Sequence, residues 1–341
     1  MFTDTAIRGA VADVHDAAVA TVSPVEPGNN RTYRVAFDDG RNVLLKVGTR
    51  FPDLFRAEPA TVGLVARATT VPVPEVLATG TRPLGAPFAV YEYVDGADVD
   101  WVGELPEATA TALCREAGEH LAALHDVSFP AFGRVGVDSE AGVADCAEPR
   151  APADPSRLAV VEPRPFGESL RRSLDRQLAE LAGTPFADRR AALAAAGDRL
   201  VDDVDLDGVD PALVHGDYRL DNLRVDPDAE RVTAAVLDWE RPTAADPLWD
   251  AVTTETLLTT GSRTDRATGA ALRSAFRTGY GGYPDAPTRL RLYELLGRLR
   301  LARHLGVETS GDSASARAER AEEHRAAFDR LLAGGSVLRD D

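Results

Sequence analysis

A length of 341 residues, 44% of them hydrophobic, gives ample chain for one large or two medium domains of an ordinary globular protein. The formal charge of −17, from 55 acidic and 38 basic residues, weighs against nucleic acid as the main partner, since no basic patch stands out to meet a phosphate backbone. No apolar run reaches the roughly 18 residues of a spanning helix, the start Met1-Phe2-Thr3-Asp4 lacks signal-peptide character, and Cys114 and Cys146 are too few for a disulfide framework, so a cytoplasmic protein without a membrane partner is expected.

Along the chain, residues 4–20 read as a short amphipathic helix. Residues 32–37 and 42–47 read as two strands joined by the turn Asp38-Asp39-Gly40. A helix is expected over 55–68, with Glu58 near its start, then extended chain over 71–77 whose prolines favour an edge position. Residues 87–94 read as another strand. After Gly96 the character changes: 106–125 is a long helical pattern with Leu113, Leu121 and Leu124 on its apolar side. The Gly-, Pro- and Asp-rich stretch 130–160 reads as irregular, 167–182 and 185–202 as amphipathic helices, and 255–333 as helical with breaks near 280–283 and 310–313. The tail from Gly334 is expected to fray. The acidic, lysine-poor composition reads as a halophilic adaptation, because at about 1 M salt the Debye length is only ~3 Å and self-repulsion is muted.

Two features carry chemistry. Of the 38 basic residues, 37 are arginine, and Lys46 is the only lysine. It lies in the apolar run Asn42-Val43-Leu44-Leu45-Lys46-Val47, where an unpaired ammonium would be expensive to bury. Arginine would substitute easily if charge alone mattered, so a compact ammonium reaching a phosphate is the reading adopted over chance survival. The second feature is His215-Gly216-Asp217 with Asn222 five residues after the aspartate, followed by Leu237-Asp238-Trp239-Glu240. The residues between read as a hairpin, 223–225 and 232–237 around a turn at 226–230, which brings Asn222 beside Asp238. Two oxygen ligands beside a third carboxylate suit Mg²⁺, which completes its shell with water and substrate phosphates.

Together with Ala245-Asp246-Pro247-Leu248-Trp249-Asp250, these motifs resemble the aminoglycoside phosphotransferase family, small-molecule relatives of protein kinases. The resemblance runs in order along about the whole chain. It implies an α+β, two-lobed protein-kinase-like fold. An N-terminal antiparallel sheet lobe with one helix (1–94) would bind nucleotide and close at a hinge near 91–94. A larger, mainly helical C-terminal lobe (95–341) would carry the catalytic loop 213–222, the metal segment 235–240 and substrate-binding inserts at 130–205 and 255–333.

It also implies roles. Asp217 would accept or orient the proton of the attacking hydroxyl, Asn222 and Asp238 would hold Mg²⁺, and Lys46, steadied by Glu58, would contact the α/β phosphates of ATP or GTP. The backbone from Glu92 to Val94 would meet the adenine edge, and in the turn 27–32 Asn29 and Asn30, which tolerate left-handed backbone angles, would let amides face phosphate. The partners implied are a nucleotide and a small hydroxylated acceptor. His125, His215, Trp239, Asp246, Trp249 and Asp250 read as structural. The turn has a single glycine, Gly216 stands where protein kinases carry arginine, and neither Asp-Phe-Gly nor Ala-Pro-Glu is present, which sets a protein substrate below a small one. The alternative is a nucleotide-binding regulator without turnover. Joint retention of Lys46, Glu58, Asp217, Asn222 and Asp238 argues against it.

Overall fold

The computed structural model describes residues 2–25, 30–99, 102–137, 154–260, 266–308 and 313–338. Helix α1 (Asp4–Val11) starts with Thr3 Oγ1 accepting from the Ala6 amide. It ends nine residues before position 20, because the β-branched Val19, Thr21 and Val22 join strand β1 (Val19–Pro24), which pairs with β2 (Arg31–Phe37). Strand β3 (Asn42–Val47) follows, then α2 (Pro52–Phe55), α3 (Ala57–Ala68), β4 (Val76–Gly80) and β5 (Phe88–Glu92). The five strands form one antiparallel sheet in the order β1-β2-β3-β5-β4. The chain enters β4 only at Val76, since Pro72 and Pro74 cannot donate to a ladder, and β4 keeps the edge.

Strand alternation sorts the two faces. Val35, Phe37, Val43, Leu45 and Val47 bury against Ile7 and Val11 of α1. Lys46 therefore points to the opposite face, where Ala89 and Tyr91 pack with Phe55 and with Val62 and Val65 of α3.

The second lobe begins with α4 (Glu107–His125). Strands β6 (Gly133–Val137) and β7 (Leu158–Pro163) pair within the stretch expected to be irregular. They complete a four-stranded sheet, β7-β6-β11-β8, with β8 (Ala212–Val214) and β11 (Thr243–Ala245). Local composition there gave no strand signal, because Gly133, Gly136 and Ala159 are held by partners distant in sequence. Residues 138–153 of that stretch lie outside the described residues, as do 26–29 and 309–312. Helices α5 (Phe166–Glu180) and α6 (Arg190–Asp203) precede β8, and β9 (Leu223–Val225) with β10 (Thr233–Val236) forms the expected hairpin. Four helices close the chain: α7 (Pro247–Thr259), α8 (Arg266–Tyr280), α9 (Pro287–Glu308) and α10 (Ala314–Leu332). The architecture is thus two-lobed α+β, an antiparallel sheet lobe beside a mainly helical one. No helix among the described residues is long and apolar enough to cross a membrane.

Helices α4 and α8 cross with their backbones in near contact. A Cβ at Gly118 would strike the Phe276 carbonyl oxygen, and one at Gly279 the Arg115 carbonyl oxygen. The tail also departs from expectation. Leu338 is 2% exposed, its carbonyl accepts from Arg277 Nη2 at 2.7 Å, and Ser336 Oγ donates to Glu294 Oε1 at 2.7 Å. A hydrophobic anchor with two polar clamps outweighs the entropy of the preceding Gly334-Gly335.

Between α7 and α8 a fully buried carboxylate, Glu255, accepts from the Tyr283 hydroxyl at 2.6 Å and lies 2.8 Å from Arg277 Nε. Burial lifts its pKa to about 7 despite the opposing pull of Arg277 and Tyr283. A raised carboxyl pKa means that the folded state holds the proton more tightly. Its contribution to stability is therefore full below the ordinary value near 4.5 and is lost as pH rises through about 7. The stability of the wild type relative to Glu255→Gln should fall by about 2 to 3 kcal/mol between roughly pH 5 and pH 8 in denaturant titrations. A difference that stays flat with pH would refute this assignment.

Candidate active site

Lys46 leaves the sheet on the face turned toward the second lobe, and the first turn of α3 brings Glu58 beneath it. Its Nζ lies 2.9 Å from Glu58 Oε1 and 2.8 Å from Asp238 Oδ1. Glu58 is 3% exposed, so the pair is largely withdrawn from water. Burial pulls the Lys46 ammonium down, but Glu58 and Asp238 together hold its pKa above the ordinary lysine value, and the group stays charged. The residue 192 positions away thus meets the only lysine across the cleft between lobes.

Asp238 follows β10 with φ at +64°, in the left-handed region that aspartate and asparagine tolerate better than most side chains. Before it, the Leu237 amide donates to the Asn222 carbonyl at 2.8 Å, so the hairpin joins the two segments directly. Asn222 is buried, and its Nδ2 donates to the Asp217 carbonyl at 2.8 Å. That bond fixes the amide, and no hydrogen bond to its Oδ1 occurs among the described residues.

The loop between β8 and Asn222 is held from inside the helical lobe. Asp250, in the first turn of α7, accepts from the amides of His215 and Gly216, both at 2.9 Å, and lies 3.3 Å from His125 Nε2. Burial works against its charge, but His125, His215 and the Gly216 amide together hold its pKa below the usual carboxylate range. His215 Nδ1 accepts from the Asp217 amide at 3.2 Å, which leaves Nε2–H to donate to the Leu237 carbonyl at 2.9 Å. The ring therefore ties the Asp217 loop to the Asp238 segment and is spent in doing so. Trp239 packs against that ring at 4.5 Å, and Asp246 caps α7 by accepting from the Leu248 amide at 2.9 Å. Asp250→Ala would strand the buried His215 amide and the partly buried Gly216 amide, so a loss of about 2 to 4 kcal/mol and a slower enzyme are expected. Wild-type thermal stability in that variant would remove Asp250 as the brace.

Asp217 projects from this loop, half-exposed, and two arginines meet it. Arg300 of α9 donates through Nη1 to the Gly216 carbonyl at 2.7 Å and through Nη2 to Asp217 Oδ1. Arg219 Nε lies 3.2 Å from the same oxygen. Sequence reasoning missed Arg300, because nothing distinguishes one arginine from the other 36 without knowing which helix crosses the loop. Asn30 is buried and its Nδ2 donates to Glu240 Oε2 at 3.0 Å. It links the strand after the turn to the segment that carries Asp238; residues 27–29 of that turn are outside the described residues. Glu92 ends β5, its amide donating to the Glu75 carbonyl at 2.9 Å and its exposed carboxylate accepting from the Glu75 amide at 3.3 Å. Val94 lies two residues beyond the strand.

Among the described residues no group of three or more His, Cys, Asp or Glu side chains could hold a metal ion. The available donors are hard and few: the Asn222 Oδ1 and the partly exposed Asp238 carboxylate. That set fits an ion that takes most of its shell from water and phosphate oxygens, as Mg²⁺ does, and does not fit a protein-enclosed zinc site.

Comparisons with known proteins follow the same lines. Among solved structures, a Ralstonia eutropha JMP134 protein proposed to be an aminoglycoside phosphotransferase superposes with a TM-score of 0.63 at 20% identity, covering 98% of each chain. Aminoglycoside phosphotransferase APH(4)-Ia gives 0.58 at 19% identity, over 98% of this chain and 100% of its own. Macrolide 2′-phosphotransferase MphH from Brachybacterium faecium gives 0.53 at 22%, over 93% and 97%. No curated protein sequence matches. These likenesses establish the fold. The model of the phosphotransferase enzyme family matches residues 21–293, from β1 into α9, and the chain belongs to that family.

Proposed function

We propose that this protein transfers the γ-phosphoryl group of ATP, or of GTP in its place, to a hydroxyl group of a small molecule. The observation that carries the reading is the convergence of Lys46, Glu58 and Asp238 across the cleft, with the hairpin joining Asp238 to Asn222 and the Asp217 loop. In support, structures of the same fold hold AMP-PNP with hygromycin B in APH(4)-Ia and GDP in an aminoglycoside 2′-phosphotransferase-IIIa mutant.

In the proposed reaction the acceptor oxygen attacks the γ-phosphorus while the bond to the β–γ bridging oxygen breaks. The nucleoside diphosphate leaves with that electron pair, and the hydroxyl proton passes to the Asp217 carboxylate. The transition state is loose and spreads charge over the phosphoryl oxygens, so catalysis is mostly placement and electrostatics. Lys46 would supply a fixed positive charge to the phosphates, and Glu58 would keep that ammonium aimed with Asp238 serving as a metal ligand. Asn222 and Asp238 would hold Mg²⁺, which when bound draws charge off the phosphate oxygens. Asp217 fixes the acceptor and orders its proton. Backbone groups at Glu92 and Val94 would receive the base.

Incubation with ATP and Mg²⁺ against a panel of hydroxylated metabolites tests the reading. ADP formed in step with a phosphorylated acceptor is the expected result. Tight nucleotide binding with no acceptor-dependent turnover across the panel would favour the regulator without catalysis. High salt belongs in the assay because the net charge of −17 is best tolerated when screened.

A further inference from the structure

The protein is acidic as a whole, yet the helix that crosses the Asp217 loop reverses that balance. Helix α9 carries five arginines and one histidine against two glutamates, in a chain with 55 acidic and 38 basic residues. Arg300, Arg303 and His304 stand at spacings of three and four residues, so they share one face of the helix. Arg300 holds the Gly216 carbonyl and the Asp217 carboxylate. Arg219, 46% exposed, adds a second guanidinium at Asp217 and spans to Asp221 Oδ2 at 3.0 Å. Arg303 pairs with Glu180 at the end of α5, and its buried Nε has no hydrogen-bond partner among the described residues. His304 is exposed beside them. Partial burial, then Arg303, Arg219 and Arg300 in turn, hold its pKa below the ordinary value against the opposing pull of Glu180.

The carboxylates beside these arginines are already used. Asp221 is held by Arg219 and Glu180 by Arg303. A polycationic amino sugar would have to displace those arginines and then sit among them. A carboxylate or phosphate meets the opposite situation. It can meet the Nη2 of the exposed Arg219, which the bonds to Asp217 and Asp221 leave over, and the partly exposed guanidinium of Arg303, since arginine binds both kinds of oxyanion through its N–H groups. A neutral imidazole at His304 can add a hydrogen bond.

We infer that the acceptor is a hydroxylated anion, carrying a carboxylate or phosphate group that Arg303, Arg219 and His304 seat while its hydroxyl lies at Asp217. The inference names the substrate class for the phosphotransferase reading above and rests on it. The reacting atoms are those of that reaction; the anionic group takes no part in bond making.

Two matched probe sets test it: glycerol, serinol, glycerate and glycerol 3-phosphate, then glucose, glucosamine, gluconate and glucose 6-phosphate. Each is titrated at one ionic strength, with binding read from the His304 ring resonances and phosphate transfer from ADP release with Mg²⁺ and ATP. Anionic members should bind and react in preference to their amine counterparts, and comparison of glycerate with glycerol 3-phosphate, or gluconate with glucose 6-phosphate, tells carboxylate from phosphate. Arg303→Gln and, separately, the exposed-site variant Arg219→Gln should raise KM for the anionic acceptor about 10- to 100-fold with a smaller change in KM for ATP. Arg303→Lys should recover part of that loss. An amine-bearing probe preferred over both of its anionic partners overturns the inference and keeps the phosphotransferase reading. So does a rise confined to KM for ATP, which would assign the arginines to the nucleotide. Anion binding at His304 without transfer to any probe supports the anion site and counts against the phosphotransferase reading. Absence of anion binding in both sets overturns the site.

Discussion

Asp217→Asn should lower turnover by about 10²- to 10⁴-fold, the range lost when a positioned acid–base group is removed. Asparagine keeps the shape of the side chain and removes its charge and basicity. The main-chain carbonyl that accepts from Asn222 is untouched, so the loop should keep its path. Arg300 retains the Gly216 carbonyl as a partner but loses a charged one, at a cost of about 1 to 3 kcal/mol in stability. Nucleotide affinity should stay within a few-fold of wild type if, as proposed, Asp217 faces the acceptor. Steady-state kinetics beside nucleotide titration would separate the two quantities. A variant that turns over at the full rate would remove Asp217 from the reaction.

Asp238→Asn is the second large effect, and it should abolish the dependence of nucleotide binding on Mg²⁺. Loss of groups that merely support metal ligands costs about 10- to 100-fold in affinity, so loss of a ligand's charge should cost at least that much. Asparagine tolerates the left-handed backbone at φ +64° as well as aspartate does, which keeps the change chemical and leaves the main chain unstrained. Lys46 would still have Glu58 at 2.9 Å, so the variant should fold. Calorimetry of ATP binding with and without the metal is the measurement. Equal Mg²⁺ dependence in variant and wild type would overturn the ligand assignment.

Much of the sheet lobe could be read in advance, because alternation with a turn at Asp38-Asp39-Gly40 leaves few choices. The same alternation placed Lys46 on the face away from Leu45 and Val47. The segment 133–137 was illegible for the opposite reason: its glycines adopt strand geometry only when β7 and β11 pair with them. β1 was hidden by the run of alanines before it, which favoured helix until Val19 and Thr21 found β2. At the site, spacing within 213–240 implied the hairpin, since turn residues and strand residues are local signals. Arg300 lies 83 residues from Asp217, and only the path of α9 past the loop makes it a neighbour. Leu338 was hidden for a related reason, because a tail after two glycines reads as loose until its docking partners, Arg277 and Glu294, are known.

The near contact of α4 and α8 reaches further than its place in the fold suggests. Tyr280, one residue after Gly279, bonds His125 Nδ1 at 2.9 Å, and His125 in turn touches the carboxylate that anchors the His215 and Gly216 amides. A single methyl group added at Gly118 or Gly279 would wedge the two rods apart and drag that relay with them. Since displacement of a reacting group by about 1 Å can cost about 10²-fold in rate, substitutions at this remote seam should throttle the chemical step while leaving the choice of acceptor untouched.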